Sequence, residues 1–581
     1  MKRFTQKHGD NQSLSACFSL ALNSDRQREL DALYYSTSGL PSLVLMEQAG
    51  SAIAERIVLT VSEDEEFLVV CGYGQNAGDG WVVARQLNAY GLSCRVVDLT
   101  EGRELKGDAE INRLAYRKLK LPELTISELA EYFSQVRKLI VVEAIFGIGY
   151  DSERKVPAEV ESTCRLINEH REKICSLIAI DLVGGCDDDG RIADFALAAD
   201  RVITLGAFKI AALEPETSQY NQKQELCPLS MDTDLRQKLI LSKDPHQYQG
   251  IVYLSDKTLA QKLMPALAPN AHKGTTGRAL LIAGSKDMYG AELLAINACL
   301  HTPVGYVHAY AADERQFELI LSTYPQCLIN GPDSISSQLS AVEAVAIGSG
   351  SANDVHLAQN IDHALKADCP LIMDADALNH LAKQEDYTEK LRQAVAHRLA
   401  IRLAEDKSDS STCSEISDKS VNQETTKILN KIDKHSHPAE IVLTPHPGEF
   451  KRLAPDLDLR QRQRAAFELA RRTHCIVVLK GYRTLIVIPY FSATGEWLGN
   501  RIFINLSGNQ ELARAGSGDT LTGMMLGYTT CMHIADAALL SVYLHGSVAD
   551  NSLLTEGSNA LLINEIPNNL HKQIEIIQGG C

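Results

Sequence analysis

The residues in this sequence best suited to chemistry form a glycine-rich turn, Ala515-Gly516-Ser517-Gly518-Asp519. A helix-forming run, 520–525, follows it directly. Backbone amides at the start of a helix lack partners within the helix and lie at the positive end of its dipole, so they attract anions. Asp519 beside them is suited to accept a proton from a substrate hydroxyl. The turn therefore predicts an anion hole for a phosphoryl group in transfer, with Asp519 as the catalytic base.

Other segments of the second half carry residue types that suit phosphate binding. They are residues 270–274 (Asn-Ala-His-Lys-Gly), 284–285 (Gly-Ser), 444–449 (Thr-Pro-His-Pro-Gly-Glu) and 480–484 (Lys-Gly-Tyr-Arg-Thr). Taken singly, Lys273 and Lys480 are better explained as solvated lysines, and His446 as a structural turn histidine. Their occurrence together with the 515–519 turn favours a phosphate site over a glycine-rich loop that an aspartate merely caps.

A second candidate site lies in the first half, at residues 71–80 (Cys-Gly-Tyr-Gly-Gln-Asn-Ala-Gly-Asp-Gly). The segment follows a predicted strand and begins a predicted helix, where glycines allow backbone N–H groups to approach a ligand. Asn76 and Asp79 add groups that suit a hydroxyl or a cation. The segment is not the dinucleotide fingerprint, because Ala77 replaces its third glycine. A tight strand–helix turn without a ligand is the alternative, and the composition favours a ligand loop.

Two further strand ends carry a carboxylate each. Glu143 precedes Gly147 and Gly149, and Asp181 precedes Gly184. Ligands of open α/β sheets bind at the carboxyl ends of the strands. Each acid alone is as readily a helix cap as a catalytic group. The two loops after these acids and the loop at 71–80 converge at one edge of the predicted sheet, which favours a ligand-binding site there.

Strands alternating with helices must position these residues. The apolar runs predicted as strands are 67–71, 94–97, 139–142 and 177–180, followed by 280–283, 344–347, 371–373, 441–443 and 476–479. Amphipathic stretches such as 81–90 lie between them. This alternation predicts an α/β protein with parallel sheets and right-handed crossovers.

The chain separates into two α/β domains, predicted at 1–246 and 251–581. Residues 214–249 are polar and lack periodicity, which predicts a linker. Residues 405–440 are rich in Ser, Asp, Lys and Thr, and they contain too little apolar surface to offset the entropy of ordering them. The sequence therefore predicts a mobile surface insertion there.

The composition is that of a globular protein: 581 residues, 45% hydrophobic and 23% charged. Asp plus Glu number 74 against 57 Lys plus Arg, a net charge of −17, which disfavours nucleic-acid binding. The sequence contains no uncharged apolar run long enough to predict a membrane span. The N-terminus is a poor signal peptide, and the 14 cysteines contain no Cys-x-x-Cys pair. A cytoplasmic protein with reduced thiols is expected.

Both halves resemble the bifunctional NAD(P)H-hydrate repair enzymes, in which an NAD(P)HX epimerase is fused to an ADP-dependent NAD(P)HX dehydratase. The C-terminal resemblance is carried by segments 272–274, 374–379, 444–449 and 515–519, and by His545-Gly546-x-x-Ala549-Asp550. In the N-terminal half it is carried by residues 41–50 and 75–79. It implies a Rossmann-like three-layer αβα domain followed by a ribokinase-like domain.

The resemblance also implies roles in the C-terminal domain. Contacts to hydrated NADH or NADPH would come from Ala291, Gly350, His446 and Asp519. Contacts to the nucleotide would come from Lys480, Gly481, Tyr482, Arg483, Thr484 and Gly518. ADP would donate a phosphate to the hydroxyl of the hydrated ring, with Mg²⁺ as cofactor, and loss of that phosphate would regenerate NADH or NADPH. ATP is a possible alternative donor, and a homo-oligomer is expected.

In the N-terminal domain the resemblance implies epimerisation of the carbinolamine carbon, with Asp181 as the acid/base group. Substrate contacts would come from Gln75, Asn76, Ala77, Gly78, Asp79, Gly147, Gly149 and Asp181. The family binds K⁺ through Asn, Asp and Ser, and the corresponding residues here are Asn76, Glu143 and Gly184. The two replacements predict a weakened or specialised epimerase. The alternatives are a ribokinase-like small-molecule kinase in place of the dehydratase, and a non-catalytic binding module at the N-terminus.

Overall fold

The structure is a computed structural model that describes residues 19–61, 65–101, 103–231, 233–409 and 436–579. Two compact units emerge from it. The N-terminal unit comprises Ser19–Lys243 and Gly250–Val252, and the C-terminal unit comprises Asp244–Gln249 and the chain from Tyr253 onward. The prediction of a poor signal peptide lies outside the described residues.

The N-terminal unit is built on a seven-stranded parallel sheet within the described residues, in the order β4-β3-β2-β5-β6-β7-β9. The strands of this sheet are β2 (Glu66–Cys71), β3 (Cys94–Asp98), β4 (Glu123–Leu124), β5 (Leu139–Ala144), β6 (Ile174–Ile180), β7 (Ala199–Leu205) and β9 (Asn221–Cys227). The unit also contains a short parallel pair, β1 (Leu20–Leu22) and β8 (Phe208–Lys209). The strands and the parallel pairing predicted for this half are confirmed.

Helices cover both faces of that sheet. They are α1 (Ser24–Ser38), α2 (Ser42–Val58), α3 (Gln75–Ala89), α4 (Asp108–Lys118), α5 (Leu129–Gln135), α6 (Ala158–Glu169) and α7 (Thr233–Leu241). Alternate residues of β2 point to opposite sides, so Val69 packs in a core with α2, α3 and α4. Val70 packs in a second core with α5 and α6. This is the predicted three-layer αβα arrangement.

The prediction of a linker at 214–249 is wrong for most of that range. Residues 221–227 form the edge strand β9, which pairs in parallel with β7. Helix α7 follows and buries Leu235 and Leu239. An edge strand faces one neighbour and much solvent, so its polar composition hid the pairing from the sequence pattern.

The C-terminal unit contains a second sheet with the strand order β13-β12-β11-β14-β15-β17-β18-β19-β20-β10. Its strands are β10 (Ile251–Ser255), β11 (Arg278–Ile282), β12 (Tyr306–Tyr310), β13 (Leu328–Asn330), β14 (Ala344–Ile347), β15 (Leu371–Met373), β16 (His437–Pro438), β17 (Ile441–Leu443), β18 (Ile476–Leu479), β19 (Leu485–Phe491) and β20 (Trp497–Asn505). Pairing is parallel from β13 to β18, whereas β19 is antiparallel to both of its neighbours and to β16. The five strands predicted for this half are confirmed. The chain order reverses between β11 and β14, and such a switch point opens a crevice for ligands.

The helices of this unit are α8 (Lys257–Leu263), α9 (Tyr289–Leu300), α10 (Glu314–Thr323), α11 (Ile335–Leu339), α12 (Leu357–Lys366), α13 (Asp376–Leu381), α14 (Tyr387–Asp409), α15 (Pro447–Leu453), α16 (Arg462–Thr473), α17 (Ser517–Thr529), α18 (Ile534–Glu556) and α19 (Ile566–Gln578). Across the described ranges, none of the helices combines the length and apolar character that a bilayer crossing requires.

The predicted mobile insertion, 405–440, is wrong at both of its ends. Helix α14 continues to Asp409, and β16 begins at His437. Glu440 is buried, pairs with Arg402 and lies 3.7 Å from His533 Nε2. Charge pairing over a long sequence separation orders these ends. The rest of the predicted insertion, 410–435, lies outside the described residues.

Glu440→Gln is expected to lower the stability of the C-terminal unit by about 1–3 kcal/mol at neutral pH, because Arg402 loses a charged acceptor. Burial alone would raise the pKa of Glu440, but His533 and Arg402 outweigh burial and lower that pKa from 4.5 to about 2. The stabilisation is therefore complete above about pH 4.5 and is lost as the pH falls towards 2. Thermal unfolding of the wild type and of Glu440→Gln across this pH range measures this stabilisation. Glu318→Gln, at an exposed position, is the control. A stability difference that does not change with pH would contradict the assignment.

Glycines on α17 let this helix approach α9 closely. A Cβ at Gly523 would collide with the carbonyl oxygen of Ala295, and one at Gly527 would collide with Thr302 Oγ1. The obstacle at Gly523 is backbone, which cannot move aside. The two glycines therefore fix the position of the α17 N-terminus, where the predicted anion hole lies.

Gly523→Ala is accordingly expected to destabilise the C-terminal unit by about 1–3 kcal/mol, the usual cost of overpacking. Gly290→Ala is the matched control: Gly290 is also helical, and a Cβ there meets nothing within 4 Å. Denaturant unfolding of the full chain separates the two variants. Equal midpoints for both would show that the α9–α17 contact is not tight.

Candidate functional site

Asp374 is the centre of a buried polar network at the carboxyl end of the C-terminal sheet. It follows β15 directly. Four side chains donate to its carboxylate: Lys480 Nζ (2.6 Å) and Thr444 Oγ1 (2.6 Å) to Oδ1, and Thr522 Oγ1 (3.0 Å) and Ser349 Oγ (3.2 Å) to Oδ2. These donors come from four different segments, so the sequence pattern gave no sign of the network. It ties the loops after β14, β17 and β18 to helix α17.

The network keeps Asp374 and Lys480 charged. Burial opposes ionisation of Asp374, but Lys480 and the hydroxyl donors outweigh it and lower the pKa of Asp374 below its usual value. Burial likewise opposes the charge on Lys480, yet Asp374, Glu449 and Asp519 raise the pKa of Lys480. Lys480 is thus a fixed cation at the site. The prediction of a solvated lysine, made from this residue alone, is wrong.

Asp519 lies in the first turn of α17, beside this cation. Burial and the charge of Asp374 raise the pKa of Asp519 to about 6, near the operating range of a general base. Gly518 lies against Lys480, since a Cβ there would be 3.3 Å from Nζ. The helix begins after Gly516, whose φ of +90° is left-handed, and no side chain caps it. The Ser517 N–H donates to the carbonyl oxygen of Arg514 at 3.3 Å, so the amides available to an anion are those of Gly518 and Asp519, at the helix start that the sequence predicted.

Gly350 and Ala291, both predicted to contact substrate, lie together. Gly350 has a φ of +63°, and a Cβ on it would be 2.7 Å from the Cβ of Ala291. Ser285 Oγ donates to the Gly350 carbonyl oxygen at 2.8 Å. This contact joins the loops after β11 and β14 at the switch point of the sheet. Tight backbone packing forms this wall of the crevice.

His446 has a structural role as well as an exposed side chain. Its Nδ1 accepts the N–H of Gly448 at 2.9 Å, and its own N–H donates to Glu449 Oε2 at 2.8 Å. These two bonds form the capping box of α15. Glu449 Oε2 lies 3.9 Å from Lys480 Nζ. His446 therefore stands beside the charged network, with about half of its side chain exposed.

Segment 480–484, predicted to bind nucleotide, is a strained turn after β18. Gly481 and Arg483 have φ values of +147° and +51°. Arg462 holds the turn by donating to the carbonyl oxygens of Tyr482 (2.6 Å) and Arg483 (3.2 Å). The guanidinium of Arg483 donates to the carbonyl oxygen of Leu506 at 2.8 Å. It also lies 5.5 Å from the ring of Tyr482.

Helix α18 positions the loop that Arg483 contacts. Asp550 accepts the N–H of Gly508 at 2.8 Å and Nδ2 of Asn509 at 3.0 Å. Gly546 gives the loop room, because a Cβ there would collide with Ser507. His545 is buried, and burial lowers its pKa to about 4, so it is neutral at pH 7. The His-Gly-x-x-Ala-Asp motif therefore supports the neighbouring loop.

The prediction that segment 270–274 joins this phosphate site is wrong. A Cβ on Gly305 would collide with the carbonyl oxygen of Lys273, and the Gly305 N–H donates to Gly277 at 3.0 Å. These residues precede β11 and β12, so they lie at the opposite edge of the sheet from Asp374. The ammonium of Lys273 lies over the ring of Tyr306 at 5.5 Å.

In the N-terminal unit, the predicted loop begins α3. Asn76 is buried, and its Nδ2 has no acceptor among the described residues. Gly147, with a φ of +59°, packs on it: a Cβ there would be 3.0 Å from Asn76 Cγ. Ala77 lies in the hydrophobic core and Gly78 packs on Met46, so these two can offer only backbone. Gln75 and Gly149 are exposed at the rim.

Asp181 follows β6 directly, at the same edge of the sheet, and has a left-handed conformation with a φ of +66°. Such strain is typical of functional positions. Its Oδ1 accepts Lys209 Nζ at 2.6 Å and the N–H of Leu205 at 2.9 Å. No hydrogen bond reaches its Oδ2 from the residues that the structure describes. Lys209 was not predicted from the sequence, because the lysine lies 28 residues from Asp181.

Two further carboxyl groups interact with Asp181. Burial, with the charges of Asp181 and Asp31 adding to it, raises the pKa of Asp79 well above its usual range. Burial also raises the pKa of Asp31 to about 6. A carboxyl group with a raised pKa beside an ion-paired carboxylate is an arrangement typical of acid/base sites.

Glu143 and Gly184, predicted as metal ligands, contact each other. Glu143 is fully buried, and its carboxylate accepts the N–H of Ile145 at 2.7 Å and that of Gly184 at 2.8 Å. Burial raises the pKa of Glu143 to about 7, although these two backbone bonds oppose the shift. Gly184 supplies an N–H group to this carboxylate and no side-chain oxygen.

Comparison with known proteins matches each half of the chain to a family model. A family model described as NAD(P)H-hydrate dehydratase matches residues 279–397 and 423–571. A second, described as YjeF-related protein N-terminus, matches residues 42–211. Two proteins named bifunctional NAD(P)H-hydrate repair enzyme Nnr match nearly end to end. The one from Moorella thermoacetica is 28% identical over 94% of this chain and 97% of the relative. The one from Synechocystis sp. is 29% identical over 88% of this chain and 86% of the relative.

Among solved structures, the ADP/ATP-dependent NAD(P)H-hydrate dehydratase from Bacillus subtilis is 28% identical, covers 56% of this chain and 98% of its own, and has a TM-score of 0.40. Two family models, one on each half, and relatives that span both halves confirm the family resemblance that sequence analysis identified. The chain belongs to the family of bifunctional NAD(P)H-hydrate repair enzymes.

Proposed function

We propose that this enzyme repairs hydrated NADH and NADPH in two steps carried out by its two units. The C-terminal unit dehydrates the (6S) epimer with ADP as phosphate donor, and the N-terminal unit converts the (6R) epimer into the (6S) epimer. The observation that carries the proposal is the juxtaposition of Asp519, the uncapped N-terminus of α17 and the fixed cation Lys480. The family match of both halves supplies the substrate class.

In the dehydratase site, Asp519 takes the proton of the ring hydroxyl as that oxygen attacks the transferring phosphoryl group. The amides of Gly518 and Asp519 would hold the phosphoryl oxygens, and Lys480 would balance their charge. Transfer of the phosphoryl group leaves AMP. The ring nitrogen then expels phosphate, which is a better leaving group than hydroxide, and loss of a proton from the adjacent ring carbon regenerates the reduced nicotinamide. Each of these protein groups would act on charge that develops during the transfer.

The remaining residues position the two substrates. Gly350 and Ala291 at the switch point, and His446 beside the charged network, would hold the hydrated dinucleotide. Residues 480–484, together with Gly518, would hold the nucleotide. The described residues contain no group of three or more His, Cys, Asp or Glu placed to hold a metal ion. Mg²⁺ needs only one or two carboxylates when substrate phosphates supply its other ligands, so we propose that it enters with the nucleotide.

In the epimerase site, Asp181 and Asp79 would act as a pair. Asp181 is charge-balanced by Lys209 and leaves Oδ2 open to accept the hydroxyl proton of the carbinolamine. Asp79, with its raised pKa, can donate a proton. Asn76 offers a buried amide that needs an acceptor, which the substrate could supply. Inversion at a carbinolamine carbon requires one proton to be taken and one to be returned, and this pair suits both steps.

The test is to mix the full chain with ADP and a mixture of both epimers of hydrated NADH, and to follow the absorbance of reduced nicotinamide. Complete recovery of NADH is expected. A ribokinase-like small-molecule kinase would leave the absorbance unchanged. A non-catalytic N-terminal unit would stop recovery at the amount of (6S) epimer. Replacing ADP with ATP identifies the donor. A cytoplasmic location and a homo-oligomer remain predictions from the sequence.

A further inference from the structure

Glu292 and Gln316 form a buried polar pair that the proposed mechanism does not use. Glu292 lies in the first turn of α9, directly after Ala291, and Gln316 lies in the first turn of α10. Both side chains are fully buried, and Gln316 Nε2 donates to Glu292 Oε2. Burial raises the pKa of Glu292 well above its usual value, although the bond from Gln316 opposes the shift. Hydrogen bonding rather than charge therefore holds this pair together.

Gln316 also ties together the ends of two neighbouring strands. Its Nε2 donates to the carbonyl oxygens of Ala283 (2.9 Å) and Tyr310 (3.1 Å), and its Oε1 accepts the N–H of Ala312 at 3.0 Å. Ala283 follows β11, and Tyr310 is the last residue of β12, which pairs with β11 in parallel. One side chain therefore holds the point at which each strand enters its loop.

The loop after β11 packs directly on this pair. Gly284 has a φ of +74°, and a Cβ built on it would lie 2.8 Å from Gln316 Nε2 and 2.9 Å from Glu292 Oε2. The N–H of Gly284 donates to the carbonyl oxygen of Ser349 at 2.8 Å. The pair is thus one backbone hydrogen bond away from the loop after β14, in which Ser349 precedes Gly350.

Tyr310 gives a second connection to the same loop. Its side chain is fully buried, and its hydroxyl donates to Asp354 Oδ1 at 3.3 Å. Asp354 lies in the loop after β14, four residues beyond Gly350, and its N–H donates to the carbonyl oxygen of Ser351 at 3.0 Å. Because Gln316 holds the backbone of Tyr310, it reaches this loop by two separate routes.

We propose that Glu292 and Gln316 are positioning residues of the dehydratase, which hold the wall of the crevice against which the hydrated dinucleotide would bind. Ala291 and Gly350 form that wall, the first beside Glu292 on α9 and the second in the loop that Gln316 reaches. Neither buried side chain would touch substrate. The turn at 480–484 follows β18, beyond β14 and β15 in the sheet, so the pair should affect the dinucleotide and not ADP. The inference rests on the proposed dehydration.

The experiment compares Glu292→Gln, Glu292→Met and Gln316→Met in the full chain. Initial rates of NADH recovery from the purified (6S) epimer give kcat and separate KM values for hydrated NADH and for ADP, at a temperature at which each variant is folded. Glu440→Gln is the matched control. It removes a buried charge beside the amino end of β17, whereas the crevice lies at the carboxyl ends of the strands.

Gln316→Met is expected to raise KM for hydrated NADH roughly tenfold, as for the loss of one or two hydrogen bonds, and to change KM for ADP by less than about threefold. Glu292→Met should raise the first KM by about three- to fivefold, because Gln316 keeps its bonds to both strands. Glu292→Gln should match the wild type, since its amide oxygen can still accept from Gln316 Nε2. Glu440→Gln should lower the unfolding temperature and leave both KM values unchanged.

Equal rises in both KM values, or a lower unfolding temperature with no change in either KM, would show that the pair is structural only and would overturn the inference. If Gln316→Met does not fold, the two Glu292 variants decide: equal KM values for Glu292→Gln and Glu292→Met would overturn the role of the hydrogen bond. A wild-type enzyme that regenerates no NADH would overturn the proposed dehydration and this inference with it, so the two failures are distinguishable. A selective rise in KM for hydrated NADH that Glu292→Gln does not share would establish the positioning pair.

Discussion

Asp519→Asn is expected to reduce kcat of the dehydratase by about 10²–10⁴-fold while changing KM for ADP by only a few fold. The asparagine is nearly isosteric, so the amides of α17 and Lys480 still hold the phosphates. It cannot accept the proton of the ring hydroxyl, and the attacking oxygen stays a poor nucleophile. Initial rates of NADH recovery and ADP binding by calorimetry measure the two quantities separately. If the variant turns over at nearly the wild-type rate, Asp519 is not the catalytic base.

The pH dependence gives an independent check of the same assignment. Burial and the charge of Asp374 raise the pKa of Asp519 to about 6. A base must be ionised to act, so kcat/KM should fall as the pH drops through about 6 and level off above it. The Asn variant should lack this limb of the profile. A wild-type profile that is flat from pH 5 to 8 would contradict the role, even if the variant is slow.

Asp181→Asn is expected to slow epimerisation by about 10²–10⁴-fold and to leave dehydration of the (6S) epimer unchanged. Asparagine cannot accept the carbinolamine proton, and it leaves the buried Lys209 without its carboxylate partner. The dehydratase on the same chain is the internal control. With a mixture of epimers, recovery of NADH should stop at the (6S) fraction, apart from slow spontaneous epimerisation.

Lys209→Met separates the base from its positioning residue. The variant keeps the carboxylate of Asp181 and its bond from the Leu205 N–H, but removes the ion pair on Oδ1. We expect a smaller loss of kcat than for Asp181→Asn, together with a shift in the pH profile of epimerisation. If Lys209→Met and the wild type give the same pH profile, the ion pair is structural only. If Asp181→Asn epimerises at the normal rate, another group is the acid/base residue.

Short segments contained most of the catalytic information in the sequence. The turn at 515–519 and the loop at 75–79 each place their groups within one strand–helix connection, so their geometry follows from local backbone rules. The strands followed from apolar runs in both halves. Where a strand was polar and at an edge, as for β9, the same pattern failed. It failed again near residue 440, where Glu440 is ordered through partners far away in the chain.

Sequence alone determined the α/β architecture, although the antiparallel β19 departs from the parallel sheet that was predicted for the second half. It also determined the two glycine-rich helix starts and Asp519 beside one of them, because each depends on neighbours within about ten residues. Only the tertiary structure decided that Lys480 is a buried cation on Asp374, that Lys209 partners Asp181, that Glu143 occupies the space at Gly184 and that 270–274 lies at the far edge of the sheet. Those pairings join residues separated by 28 to 106 positions. Burial and charge compensation, which act through space, select them, and no local pattern records which distant side chain the fold brings near.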